Sequence, residues 1–215
     1  MHRLRRALRP ELAVFQKHLD SVAAKSQAAV PGAAQAASGL ERIIHADDLL
    51  KFDWVSNALA AGESVARLIT PRYENGRAIL GAGGAKPVES LGAGWVFAPG
   101  YIITNHHVAN SRSESEPIAS GYDLNLQAKS TKVQFDFDRE GAEGEVFEVE
   151  SLVAWYSRNA QPALDFAILK LAQPCPRAAL VLALNAVPEL KGKPIPVNII
   201  QHPGARPRRL AFAII

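Results

Sequence analysis

Beyond residue 65 the apolar positions fall in short runs, each closed by Gly, Pro, Asn or Asp: residues 65–69, 95–97, 101–104, 132–137, 146–153, 166–171 and 197–200. Short strands at close spacing, with no helical stretch of about 10–15 residues between them, predict an antiparallel sandwich or barrel. Val133, Phe135 and Phe137 alternate with Gln134, Asp136 and Asp138, the period of a strand with one wet face. A last run, residues 210–215, is apolar throughout and predicts one more strand. Before residue 65 the period is helical. Leu12, Phe15, Leu19 and Val22 form one stripe over residues 11–29, and an Ala-rich linker with Pro31, Gly32, Ser38 and Gly39 follows. A second helix is predicted over residues 53–61, with Asp53 as N-cap, Val55, Ala58 and Leu59 as its buried face, and Gly62 as its stop.

Composition narrows the class without naming a function. The 215 residues are 48% apolar and 21% charged, as in a soluble globular protein, which excludes a disordered chain, a collagen-like repeat and a small disulfide scaffold. A net charge of +3 is too small to imply nucleic acid. No apolar stretch approaches the ~18 residues of a membrane span. Neither nucleic acid nor membrane is therefore expected as a partner. Cys175 is the one cysteine, so no intrachain disulfide calls for an oxidising compartment. Arg3, Arg5, Arg6 and Arg9 imitate the start of a secretion signal, but Pro10, Glu11, Gln16 and Lys17 interrupt the apolar core that should follow. The arginines read as a solvated start, and a cytoplasmic protein is expected. Charge is uneven along the chain: residues 112–150 hold ten acidic and four basic residues, and no acid follows Glu189.

Two runs carry candidate chemistry. In the first, Gly94-Trp95-Val96-Phe97 leads through Pro99-Gly100 into Tyr101-Ile102-Ile103-Thr104 and then Asn105-His106-His107-Val108. A hairpin delivers the residues at its end to a fixed place, which is where a catalytic histidine is useful. In the second, Asp165 immediately precedes the apolar Phe166-Ala167-Ile168-Leu169. A carboxylate at such an edge, if buried, needs a donor, and an imidazole N–H is a good one. Other candidates carry less. Adjacent histidines on a strand point to opposite faces, so a metal shared by His106, His107 and His202 is disfavoured. His202, before Pro203-Gly204, reads as a turn residue. Cys175 lies between prolines, with nothing to stabilise a thiolate.

The two runs together resemble the trypsin-like (chymotrypsin-fold) serine peptidases, of the bacterial cytosolic kind. The family's small-residue strand matches Gly92-Ala93-Gly94-Trp95-Val96, and its histidine motif matches Ile103-Thr104-Asn105-His106-His107-Val108. The strand that carries the family's acid matches Asp165-Phe166-Ala167-Ile168-Leu169. Ile199-Ile200-Gln201-His202-Pro203-Gly204 is similar to the first strand and turn of the second barrel, and Leu40-Glu41-Arg42-Ile43-Ile44 to a helical lead-in. The resemblance covers about residues 40–215. It implies a mainly β fold: a helical lead-in and Ala-rich linker over 1–62, a first antiparallel β-barrel over 63–190, and the start of a second barrel over 191–215. It implies His107 as the base and Asp165 as the orienting acid of a Ser-His-Asp triad, a polypeptide substrate, and neither cofactor nor metal. His106 occupies a variable position of the motif.

One departure matters. The family's nucleophile follows its acid in a G-x-S-G turn, yet neither Ser nor Thr occurs after Asp165, and the last serine is Ser157. The chain reads as the first half of a peptidase, truncated before the catalytic serine. Two functions follow from the same residues: a serine endopeptidase whose nucleophile is absent from this chain, or a non-catalytic half-domain that only binds. Either way, the isolated chain is expected to be inert.

Overall fold

A computed structural model describes residues 53–113, 115–157, 164–182 and 196–214. The helix expected over 11–29 and the linker after it lie outside the described residues. The chain divides into two compact units, residues 1–61 with 181–186, and residues 62–180 with 187–215.

In the first unit, helix α1 (Asp53–Gly62) forms where the sequence predicts it. Its buried stripe does not. Val55 and Leu59 are exposed, whereas Trp54, Ala58 and Ala61 are partly buried. The spacing fits a stripe on 54, 58 and 61 as well as one on 55 and 59, and the larger indole takes the covered side.

The second unit is built on six strands: β1 (Val65–Pro71), β4 (Glu89–Ala98), β5 (Tyr101–Thr104), β6 (Lys132–Phe135), β7 (Glu145–Tyr156) and β8 (Phe166–Leu171). They close into one antiparallel barrel in the order β1-β4-β5-β8-β7-β6, with β6 returning to β1. Closure leaves no strand edge for another chain to extend. The interior is apolar: Leu68, Val96, Ile102, Val133, Phe135, Phe147, Val149 and Leu169 are all buried, and Phe135 meets Phe147 edge-on at 5.7 Å. The mainly β expectation holds, and each predicted strand is present. Strand β6 stops short of residue 137, because Asp136 adopts φ 58° and turns the chain. Arg177 holds the Asp136 carboxylate there at 2.5 Å.

A two-residue hairpin, β2 (Tyr73–Glu74) and β3 (Arg77–Ala78), follows β1. Its turn, Asn75-Gly76, has positive φ at both residues, the geometry that suits the twist of paired strands and that Asn-Gly favours. Two helices interrupt the barrel: α2 (His106–Asn110) after β5, and α3 (Gly121–Lys129) before β6. The sequence pattern predicted neither. In α3 the buried positions include Asp123 and Gln127, so polar residues fill part of the inward face and hide its period. Ser120 caps α3, accepting from Asp123 N–H at 3.1 Å.

The last strands, β9 (Pro196–Gln201) and β10 (Arg209–Ile214), pair with each other. The link between them docks on the barrel. Arg208 N–H donates to Phe137 O at 2.8 Å, and Arg67 donates to Ala205 O at 2.9 Å. His202 is only 2% exposed; its Nδ1–H donates to Arg206 O at 3.1 Å, so it locks the turn that it opens. Among the described residues no helix is long and apolar enough to cross a membrane.

Candidate active site

The small residues of β4 have a packing reason. A Cβ at Gly92 would stand 2.5 Å from Val108 Cγ2, and one at Gly94 would stand 2.8 Å from Leu68 Cδ1 and 2.9 Å from Ile103 O. Both glycines therefore make room, the first for α2 and the second for β1 and β5. Thr104 Oγ1 donates to Ala93 O at 2.8 Å, tying the end of β5 to the same stretch. Thr104 and Val108 bracket the histidines and seat them against β4.

Helix α2 is a single turn and needs outside support. Gln127 of α3, fully buried, supplies it. Its Nε2 donates to Ala109 O at 3.0 Å and Asn110 O at 2.7 Å, two carbonyls that the short helix leaves unsatisfied. Its Oε1 accepts from Tyr73 N–H at 3.0 Å and Arg112 at 2.8 Å. Ser111 ends α2 in the left-handed region, φ 46°, and donates to Thr70 O at 3.2 Å.

Strand β8 runs beside β5, with Ala167 opposite Thr104. Asp165 precedes β8 by one residue, so it faces the start of α2. Its Oδ2 lies 2.6 Å from His107 Nδ1, and its Oδ1 accepts from His107 N–H at 3.1 Å. Asn105 Nδ2 donates to Asp165 O at 3.1 Å. A carboxylate is acceptor-only, so Nδ1 carries the proton and Nε2 is the basic nitrogen. The His107 side chain is 49% exposed and that of Asp165 23%. The pair is thus open to solvent on one side and braced by backbone on the other.

The structure brings His107 and Asp165 together, as expected, but on a helical turn rather than at a strand end. His106 faces away from that contact. It points inward, 4% exposed, and stacks on Trp155 at 4.8 Å. Burial pushes its pKa below the ordinary 6.5, partly opposed by the Asp165 charge. His202 is distant in role, holding the hairpin turn, and Cys175 packs against the core with burial raising its thiol pKa. Among the described residues no group of three or more His, Cys, Asp or Glu side chains is placed to hold a metal. A cavity of about 320 Å³ is lined by Arg72, Arg112, Glu116 and Asp123, not by His107 or Asp165. The supporting residues Gln127 and Asn105 were not foreseen. For Gln127 the pattern held no signal; for Asn105 the signal was its place in the motif.

Comparison with known proteins bears on the family. Residues 92–215 match a family described as trypsin-like peptidase domain. No curated protein matches the chain. Among solved structures, the chain is similar to the active form of the Rv3671c protease from M. tuberculosis, at 20% identity and a TM-score of 0.43, with 83% of this chain and 61% of that one covered. The match from Gly92 through the histidine turn, Asp165 and β10 takes in more than half of the sequence: the chain belongs to the trypsin-like peptidase domain family.

Proposed function

We propose that the chain carries the base and the orienting acid of a serine endopeptidase, His107 and Asp165. One observation carries the reading: Asp165 engages His107 through both Nδ1 and the backbone N–H, at 2.6 and 3.1 Å. Such a contact fixes the tautomer and the ring rotation, so that Nε2 is the nitrogen presented to a nucleophile's proton. In acyl transfer the base takes that proton as the hydroxyl oxygen attacks the peptide carbonyl, and returns it to the leaving amine. The carboxylate stabilises the imidazolium between the two steps. Strands β9 and β10 belong, in this reading, to the opening of a second barrel, and residues 63–190 to the first.

No Ser or Thr follows Asp165 within the 215 residues, and this favours a second reading, a half-domain that binds polypeptide without cleaving it. A serine-directed phosphonate probe and casein hydrolysis separate the outcomes. The 215-residue chain is expected to take no probe and to leave casein intact. A longer form that supplies a serine turn is expected to label and to cleave, and to lose both with His107→Ala. Binding without labelling in that longer form supports the second reading. Stoichiometric labelling of the 215-residue chain, abolished by His107→Ala, overturns the account of the nucleophile.

A further inference from the structure

The acid–base pair does not use the ring of His106, yet that ring is buried directly beside it. Three consecutive residues grip neighbouring strands. Asn105 and His107 take hold of Asp165, and His106 lies on the indole of Trp155, with ring centroids 4.8 Å apart and planes 26° from parallel. Trp155 stands in β7 opposite Ala167, two residues beyond Asp165. Successive side chains of a helical turn diverge by about 100°. With 105 and 107 held at Asp165 and 106 held at Trp155, the turn cannot rotate without breaking a contact.

The Nε2 atom of His106 is buried and has no hydrogen-bond partner among the described residues. A polar atom so placed is costly. The flat face of the imidazole, in contrast, is matched by the indole. The contact that the site exploits is therefore the stack.

We propose that His106 is a positioning residue: stacked on Trp155, it sets the rotation of α2 so that His107 meets the Asp165 carboxylate through Nδ1. The proposal rests on the reading of His107 and Asp165 as base and acid, and its test distinguishes the two.

The test uses the 215-residue chain with ¹⁵N-labelled imidazoles. Nuclear magnetic resonance then reports the His107 tautomer, Nδ1–H against Nε2–H, with His107→Gln assigning the signal. In the native chain the Nδ1–H form dominates. His106→Ala, and separately Trp155→Leu at a partly exposed position, lower the ratio of the two tautomers by roughly two- to tenfold, the range one aromatic pair supplies. His106→Phe keeps a flat face without either nitrogen and restores the native ratio. A role confined to stability moves the melting temperature and leaves the tautomer alone. An unchanged ratio in a folded His106→Ala chain, or in Trp155→Leu where the alanine variant does not fold, overturns the proposal. So does a phenylalanine variant that behaves like the alanine one. If the native chain itself shows no Nδ1–H preference, both readings fall; if it does and the variants leave it unchanged, only the positioning role falls.

Discussion

At Gly92 a single hydrogen atom decides where α2 sits. The Cβ of an alanine would stand 2.5 Å from Val108 Cγ2, and Val108 is a branched, buried side chain with little room to turn. Gly92→Ala is expected to cost about 1–3 kcal/mol, the usual price of overpacking, read as a lower urea midpoint. It should also shift the His107 resonances, because Val108 is the next residue. Asp165→Asn tests the carboxylate instead. The shape stays, but the acceptor at Oδ2 becomes ambiguous and the Nδ1–H tautomer loses its anchor. In a form that bears the serine, kcat is expected to fall about 10⁴-fold, as when a triad carboxylate becomes an amide; the measurement is a pre-steady-state burst with an ester substrate. The glycines were legible at this scale because packing fixes their residue type, whereas the meeting of His107 and Asp165 was legible from the two motifs that resemble the family's. His106 was harder to place. Its inward direction depends on a helical turn that its sequence neighbours do not announce.

At the scale of elements, strands were legible and the short helices were not. Period-two alternation survives in β7 from Val146 to Glu150, where the barrel wall separates a dry face from a wet one. In β6 it does not, because Gln134, expected on the wet face, is buried and accepts from Arg67. Helix α3 spends two inward positions on polar groups. Gln127 is one of them, and its four hydrogen bonds join α2, the strand at Tyr73 and Arg112. Gln127→Leu keeps the volume and orphans those partners. A loss of at least about 2 kcal/mol is expected, since each unsatisfied buried group costs ~1–3 kcal/mol. Hydrogen exchange should then quicken at Ala109 and Asn110 before the barrel strands. The hairpin link offers a second test, through His202. Burial and the nearby Arg208 and Arg67 push its pKa below the ordinary 6.5, against the Arg206 carbonyl and Asp138, which raise it. The unfolded chain therefore binds a proton that the folded chain refuses. Stability from this group is complete above about pH 6.5 and is lost as the pH falls through the lowered folded value. His106 acts in the same sense. Glu116, held at about 2 by Arg72 and Ser113, loses its share only below its ordinary 4.5. A plot of melting temperature against pH should thus decline in two stages, and His202→Gln should flatten the upper one.

For the molecule as a whole, the closed barrel and the β9–β10 hairpin differ in how they end. The barrel pairs every strand twice. Among the described residues the hairpin strands pair only with each other, and Ile199 and Leu210 are exposed along them. Unpaired apolar edges invite pairing between molecules. Light scattering of the 215-residue chain is expected to show association that grows with concentration, and Ile199→Lys is expected to reduce it. A monodisperse monomer at all concentrations contradicts that expectation.

The turn between β2 and β3 bears on how the molecule ages. Asn-Gly is the dipeptide most given to losing ammonia, because the unhindered glycine nitrogen attacks the asparagine side chain and closes a succinimide ring. Here that nitrogen is occupied. Gly76 N–H donates to Asp123 Oδ1 at 2.8 Å and Asn75 N–H to Oδ2 at 3.1 Å, so both amides of the turn are held by one carboxylate. Asp123 is in turn fixed by the cap of α3. A carboxylate that organises a helix thereby acts as a preservative for a hairpin some fifty residues earlier in the chain. Storage should leave Asn75 intact in the native protein and convert it to aspartate and isoaspartate in Asp123→Ala, a change that peptide mass spectrometry reads directly.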